Sequence, residues 1–220
     1  MIKFENVHIR YDSGITLRDL NFEINSKEFV YLFGPSGSGK TSVLNMIYMD
    51  LFPNEGQVIV LGKESSYVKR RDIAKIRQQI GMMFQEPRLL SDRDIYSNIA
   101  IPLELFGYKS NEVRQKVNRT VDELGIRSRL SHFPIELSAG ELQKVALARA
   151  MVNTPGILLV DEPTAHLDPV ASDEVMKALW QIHGKGTTVL IATHEERLIK
   201  DEPARTISMH GGEIIQDRPL

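Results

Sequence analysis

The sequence contains no cysteine among its 220 residues. This excludes disulfide bonds and thiolate metal sites, and it fits a reducing compartment. The formal net charge is only −2, so nothing in the composition favours a nucleic acid as partner. No apolar run approaches the roughly 20 residues that span a bilayer, and the first residues, Met1–Glu5, do not begin a signal-like segment. If the protein works at a membrane, we expect another protein to hold it there.

One eight-residue stretch matches G-x-x-x-x-G-K-[ST], the phosphate-binding loop of nucleoside triphosphatases. Its residues are Gly34, Pro35, Ser36, Gly37, Ser38, Gly39, Lys40 and Thr41. Glycines let consecutive backbone N–H groups turn towards an anion, and the following helix adds its dipole. Lys40 can reach the β- and γ-phosphates, and the Thr41 hydroxyl can bind Mg²⁺. An apolar strand before the loop (Phe29–Phe33) and helical spacing after it favour this reading over an ordinary glycine-rich turn, and they extend the nucleotide site to Ser42.

Two further apolar strands end in polar side chains that suit a phosphate-loop enzyme. The strand Ile157–Val160 ends in Asp161 and Glu162, at the carboxyl end where ligands bind in parallel sheets. Asp161 would hold Mg²⁺ through water, and Glu162 could orient or polarise the attacking water. The strand Thr187–Thr193 ends in His194, whose neutral imidazole could donate to the γ-phosphate and orient Glu162.

Two isolated residues have a functional and a structural interpretation of similar weight. Tyr11 follows the first strand, where its ring could stack on a flat base or pack on the sheet edge. Gln85 follows the apolar run 80–84. It could ligate Mg²⁺ through its side-chain oxygen and contact a water, or it could be a solvated loop residue.

The alternation of strands and helices stops between Glu86 and about Val152. Most of this stretch is predicted helical, with candidate helices at 98–107, 111–124 and 140–152. We interpret it as a helical lobe inserted into an α/β core. The part of it that follows Gln85 has more apolar residues than a small lobe needs, so they form either its core or a groove for a partner helix.

The amino-terminal region is predicted to be antiparallel. Residues 2–11 alternate between apolar and polar with a phase slip near Asn6, which indicates a strand with a bulge. A turn at Asp12–Gly14 leads to a second strand around Leu20, Phe22 and Ile24.

Two helices are predicted to begin with strong caps. Ser138 and Glu141 have capping-box spacing around Ala139 and Gly140, so this is either a well-capped helix or an anion site at a helix N-terminus. Asp168, followed by proline, is the N-cap of the second helix.

Taken together, these motifs resemble those of the ATP-binding-cassette (ABC) ATPases over nearly the whole chain. The similar segments are 34–41 (Walker A), Tyr11 (adenine-stacking aromatic), Gln85 (Q-loop), 137–141 (LSGGQ signature), 157–162 (Walker B), 165–168 (D-loop) and His194 (switch histidine). The signature departs from the family pattern at Ala139, which replaces glycine, and at Glu141, which replaces glutamine. The glutamate is common in one branch of the family, whose members serve export-type or mechanical membrane complexes, whereas the alanine is less usual.

The resemblance implies an α/β fold in one ABC ATPase domain. A RecA-like phosphate-loop core with a mostly parallel sheet and an N-terminal antiparallel β part would comprise residues 1–85 and 154–220, and the helical subdomain residues 86–153. It also implies ATP hydrolysis with ATP and Mg²⁺. Glu162, His194 and Gln85 would be catalytic, and Thr41, Gln85 and Asp161 would form the metal site.

The family also implies a homodimer that forms when ATP binds. Two copies would close head to tail, so that each signature helix caps the γ-phosphate bound by the other copy. The nucleotide contacts would be Tyr11, residues 34–42, Ser138, Ala139, Gly140, Glu141 and Asp168. The membrane partner would be a permease docked beside Gln85, and the protein would lie on the cytoplasmic face of the membrane.

Within the family, the stretch from Leu90 to Leu103 is similar to that of the bacterial cell-division ATPases. Those proteins regulate cell-wall hydrolases through a membrane protein rather than transporting a solute. Lipoprotein-releasing and macrolide-export ATPases of the same branch are the alternative. DNA-repair ATPases of the superfamily carry coiled coils or zinc-binding insertions, and translation factors usually carry two cassettes; the sequence has none of these features.

Overall fold

Two β-sheets and a group of helices position the loops named above. The computed structural model describes residues 1–11 and 16–219. The turn predicted at Asp12–Gly14 lies outside the described residues. Within the described ranges, no helix is long and apolar enough to cross a membrane.

The larger sheet has six strands in the order β10-β9-β3-β8-β7-β6. Their bounds are β3 Phe29–Phe33, β6 Ile80–Met83, β7 Ile157–Asp161, β8 Thr188–Thr193, β9 Arg205–His210 and β10 Glu213–Arg218. Five of these strands run parallel, and the sixth, β10, returns antiparallel to β9. Strands β6, β7 and β8 are buried along their whole length, as their continuous apolar sequences predict for a sheet covered on both faces.

The smaller sheet is antiparallel, with the order β2-β1-β4-β5. Its strands are β1 Ile2–Arg10, β2 Thr16–Ile24, β4 Glu55–Val60 and β5 Lys63–Glu64. Asn6 has a φ of 49°, and the pairing register shifts between Phe4 and Val7. The predicted bulge is therefore confirmed. β5 was not predicted, because two residues are too few to give a periodic pattern.

Among the described residues, four helices outside the helical lobe pack with the sheets. They are α1 Lys40–Ile47, α2 Arg70–Arg77, α6 Pro169–Gly184 and α7 Glu196–Asp201. α1 starts directly after the phosphate loop, and α6 starts at the predicted N-cap, Asp168. The short helix α7 was not predicted from its sequence.

Three helices share a separate hydrophobic cluster between β6 and β7 in the chain. They are α3 Ile95–Leu105, α4 Ser110–Glu123 and α5 Ala139–Met151, close to the three helices expected there. The side chains of Ile95, Ile99 and Leu103 are buried in this cluster, so they form the core of the lobe. Leu90 and Leu105 remain exposed, and they are apolar residues that a partner can reach.

Candidate active site

The phosphate loop connects β3 to α1 in a conformation that favours glycine at several positions. Gly37 and Gly39 have φ values of 79° and 104°, in the left-handed region that disfavours a side chain. A Cβ on Gly34 would lie 2.3 Å from the carbonyl oxygen of Met209. The hydroxyl of Ser38 is buried inside the loop, with no hydrogen-bond partner among the described residues. An unpaired buried donor of this kind is what a bound phosphate oxygen would satisfy.

Lys40 folds back over the loop. Its Nζ donates to the carbonyl oxygens of Gly34 at 2.7 Å and Pro35 at 3.2 Å. Nζ also lies 3.4 Å from Oε1 of Glu162, and both side chains are buried. One ammonium group therefore links the phosphate loop to the end of β7.

The first acidic residue at the end of β7 contacts the first turn of α1. The Thr41 hydroxyl donates to Oδ2 of Asp161 at 2.8 Å. The other oxygen, Oδ1, is buried and has no hydrogen-bond partner among the residues described. Burial raises the pKa of Asp161 above its ordinary value, because the charged form loses its hydration. A free carboxylate oxygen beside a hydroxyl suits a hard cation such as Mg²⁺.

The second acidic residue contacts the end of the neighbouring strand. Oε1 of Glu162 lies 3.0 Å from Nδ1 of His194. The Glu162 backbone N–H donates to the Ala192 carbonyl at 2.9 Å. Side chain and backbone of Glu162 are therefore both tied to β8 and the residue that follows it.

The backbone of Glu162 is held with a φ of 46°, a left-handed conformation that is unusual for a residue with a side chain and that recurs at active sites. The turn directs the carboxylate towards Lys40 and His194 rather than along the strand. The sequence pattern predicted that Glu162 would point differently from Asp161, but it contained no signal for this backbone conformation.

Strand order explains why these side chains meet. β3 lies next to β8, and β8 lies next to β7, all parallel. The phosphate loop, His194 and the Asp161–Glu162 pair follow the carboxyl ends of these three strands, so they gather at one edge of the sheet. The structure therefore brings together the predicted phosphate-binding and acidic residues.

A cavity of about 580 Å³ opens beside this cluster. Predicted site residues that line it are Tyr11, Ser36, Gly37, Gly39, Lys40, Thr41, Ser42, Gln85, Glu162 and His194. Leu17, Asn45, Asp50 and Leu51 also line it; sequence reasoning missed them because no motif includes them. The Tyr11 hydroxyl donates to Oγ of Ser42 at 2.7 Å, so the aromatic ring is tied to α1 at the border of the cavity.

Gln85 is exposed and connects the cavity to the helical lobe. Its backbone carbonyl accepts a long hydrogen bond, 3.5 Å, from Nε2 of Gln143 on α5. The Gln143 side chain is buried. This contact between distant parts of the chain had no signal in the sequence.

The predicted signature residues lie outside the cavity. Ser138 caps α5, and its Oγ accepts from the Glu141 backbone N–H at 3.3 Å, while Oε2 of Glu141 accepts from the Ser138 backbone N–H at 2.9 Å. The predicted capping box is therefore confirmed. Asp168 caps α6 through its Oδ1, which accepts from two backbone N–H groups. The two helix starts are adjacent, since a Cβ on Gly140 would lie 2.9 Å from Cβ of Ala171.

Comparison with known proteins shows the family of this chain. The model of the family described as "ABC transporter" matches residues 17–165, more than half of the chain. The chain is 36% identical to the cell division ATP-binding protein FtsE of Bacillus subtilis (strain 168), over 99% of this chain and 96% of that protein. It is 37% identical to FtsE of Escherichia coli (strain K12), over 97% of both chains.

Solved structures of ATP-binding cassettes have the same fold as this chain. The ATP-binding cassette MJ0796, determined as a dimer in a post-hydrolysis state with ADP and Pi, superposes with a TM-score of 0.91 at 32% identity, over 100% of this chain and 99% of that chain. The protein cbiO1 from Clostridium perfringens gives a TM-score of 0.90 at 29% identity, over 99% of this chain and 88% of that chain. The predicted α/β fold is confirmed. The chain belongs to the ABC transporter family and is an ATP-binding, ATP-hydrolysing cassette of that family.

Proposed function

We propose that this ATPase drives a bacterial membrane complex in cell division, with a permease similar to FtsX as its partner. Relatives from two distant bacteria that share the FtsE name, each aligned over nearly the full chain, support the assignment. The protein would lie at the cytoplasmic face of the membrane, held by that partner. Closure of an ATP-bound dimer would move the permease docked on it. This movement would control cell-wall hydrolases rather than transport a solute.

The observation that carries the proposed chemistry is the convergence of Lys40, Thr41, Asp161, Glu162 and His194 at one edge of the sheet. When the triphosphate binds, Lys40 would give up its ion pair with Glu162 and bind the β- and γ-phosphates instead. Glu162 would then be free to polarise the attacking water, with His194 keeping its carboxylate in place. The loop glycines would let backbone N–H groups approach the phosphates.

The residues present fit a magnesium ion. Asp161 offers an unpaired buried oxygen beside the Thr41 hydroxyl, counting partners among the described residues, and Gln85 lines the same cavity as Thr41. We assign these three residues to the metal site. When bound, Mg²⁺ would neutralise charge on the phosphates and so favour their transfer to water.

We further propose that the complete ATP site needs two copies of the chain. Ser138, Ala139, Gly140 and Glu141 start a capped helix with exposed residues at its tip, yet none of them lines the cavity. A helix N-terminus of this kind binds anions, and a second copy could supply it to the phosphates bound by the first. The dimeric form in which MJ0796 was solved supports this arrangement.

A groove between the sheet and the helical lobe is the proposed docking place for the permease. It has a volume of about 240 Å³ and is lined by Phe84, Arg88, Pro102 and Phe106, among others. Arg88 lies over the Phe84 ring, 4.2 Å from its centroid. Apolar side chains together with three arginines, Arg77, Arg88 and Arg149, suit an amphipathic helix of a membrane protein.

Co-purification tests the proposed complex. A tagged chain, isolated from detergent-solubilised membranes of its own cells, should retain an FtsX-like permease. Phe106→Glu should lose the permease but keep ATP binding, because it places a charge in the groove and leaves the cavity untouched. Tyr67→Glu is the matched control, since Tyr67 is exposed and lies outside the groove. Recovery of a lipoprotein-releasing or macrolide-export permease instead would contradict the cell-division assignment.

A further inference from the structure

The signature helix of this chain carries a carboxylate in its first turn. Oε2 of Glu141 accepts from the backbone N–H of Ser138 at 2.9 Å and from its hydroxyl at 3.0 Å. These contacts, together with the guanidinium of Arg129, lower the pKa of Glu141 below its ordinary value. Glu141 is therefore charged at neutral pH, whereas the glutamine usual in the family at this position is not.

This charge has two opposite effects. It is favourable for the helix itself, because an anion in the first turn interacts well with the helix dipole and completes the capping box. In the proposed dimer, however, the same turn approaches the triphosphate bound by the other copy. There a negative charge would repel the phosphates across a partly desolvated interface, where charges are screened less than in water.

Arg129 is placed to remove this repulsion. Its Nε lies 2.7 Å from Oε1 of Glu141, and the two side chains are 40% and 28% exposed. Its backbone is fixed in a short 3₁₀ turn, where the Arg129 N–H donates to the Ile126 carbonyl and the Arg129 carbonyl accepts from His132. A guanidinium on a fixed backbone keeps its pairing geometry better than one on a free loop.

We propose that Arg129 is a positioning residue of the composite ATP site. It neutralises Glu141 and holds the capping box, so that the first turn of α5 presents its N–H groups to the partner's phosphates without a net negative charge. This inference rests on the proposed two-copy site.

Arg129 is then needed for dimer closure only while Glu141 carries its negative charge. Removing the arginine alone exposes the carboxylate and weakens dimer closure. Removing both charges leaves a neutral glutamine that still completes the capping box, so closure returns. If Arg129 has a purely structural role, dimer closure should not return in the double variant, because the Glu141 substitution would add to the loss caused by removing Arg129 or leave it unchanged.

The test measures ATP-dependent dimerisation by sedimentation in a Glu162→Gln parent, which retains ATP. Arg129→Gln should weaken the dimer by about three- to tenfold, the size expected for one charge several ångströms from another at moderate dielectric. Monomer ATP affinity should not change. Arg129→Gln with Glu141→Gln should return to within about twofold of the parent, and added salt should reduce the single variant's defect.

Arg127→Gln is the matched control. Arg127 is two residues away in the same turn, and it pairs with Asp122 rather than with the signature helix. Arg127→Gln should therefore leave the strength of the ATP-dependent dimer unchanged. Glu141→Gln alone provides a second test that keeps Arg129 intact: it leaves the arginine charge uncompensated and should tighten the dimer.

The outcomes separate this inference from the function on which it rests. If the parent does not dimerise with ATP, the two-copy site is wrong and the role of Arg129 is wrong with it. If the parent dimerises but Arg129→Gln is unaffected, or the double variant stays as weak as the single, only the role of Arg129 is overturned. If Arg129→Gln folds poorly, the Glu141→Gln result decides, and an unchanged or weaker dimer overturns the inference.

Discussion

Lys40 and Glu162 form an ion pair in which the side chains are only 6% and 7% exposed, with Nζ 3.4 Å from Oε1. Removing one member of a buried pair leaves the other charge uncompensated and is more costly than the pair's own contribution to stability. The residue proposed to bind phosphate and the residue proposed to polarise water thus hold each other in place. A triphosphate would compete with Glu162 for the lysine.

Replacing Lys40 with alanine should abolish ATP binding and turnover, because the variant lacks the charge that faces the phosphates. It should also lower the free energy of unfolding by about 3 kcal/mol, since the buried Glu162 carboxylate loses its cation. Calorimetry with ATP and urea unfolding without it measure the two effects. Lys63→Ala, at an exposed strand end, is the control. Undiminished ATP binding by the variant would refute the assignment of Lys40.

Glu162→Gln should retain ATP binding but lose turnover by about 10²- to 10⁴-fold, the usual contribution of a positioned general base. The amide keeps the size of the side chain and cannot accept a proton from water. Phosphate release at saturating ATP is the measurement, with the exposed Glu196→Gln as control. Turnover by purified Glu162→Gln that equals that of the unmodified protein would exclude Glu162 as the base.

Asp161→Asn should stabilise the protein at neutral pH while weakening its binding of Mg·ATP. The pKa of Asp161 is raised by burial, so between the ordinary value of 3.8 and the raised value the folded state binds more protons than the unfolded state. Stability therefore falls as pH rises through that window, and the loss is complete once the pH exceeds the raised value. Asparagine has no charge to bury, and we expect a gain of about 1 kcal/mol.

Urea unfolding at neutral pH and near pH 3.8 measures this effect, because the gain should shrink as Asp161 itself becomes protonated. Mg·ATP should stabilise the unmodified protein but give much less protection to the variant. Asp92→Asn, at an exposed position, should change neither property. Full protection of the variant by Mg·ATP would contradict the metal-site role, and a variant less stable than the unmodified protein at neutral pH would contradict the cost assigned to the buried charge.

The sequence predicted the main elements because their signals are local. The apolar run of β7 followed by Asp161, and the glycine spacing around Lys40, each lie within one short segment. Ser138 and Glu141 likewise predicted their own capping box, which the structure confirms.

What could not be predicted depends on contacts between distant segments or on backbone strain. The hydrogen bond from Gln143 to the Gln85 carbonyl joins residues 58 positions apart, and the pairing of Arg129 with Glu141 requires a turn that brings two charged residues together from 12 positions apart. The left-handed backbone of Glu162, whose N–H donates to Ala192 on the neighbouring strand, is not a preference of its residue type. Such features appear only once the tertiary structure is known.

The most direct test of the two-copy ATP site is sedimentation of Glu162→Gln with ATP, compared with the same protein carrying Ser138→Arg. Ser138 is exposed at the start of α5 and does not line the cavity of its own chain, so the bulky cation should obstruct only a partner's phosphate. Ala139→Gly should tighten the dimer, because in the proposed two-copy site the Ala139 methyl group would hold the partner's phosphate slightly away. The two-copy site predicts an ATP-dependent dimer for Glu162→Gln and a monomer with unchanged ATP affinity when Ser138→Arg is added. It is contradicted if that double variant still dimerises with ATP.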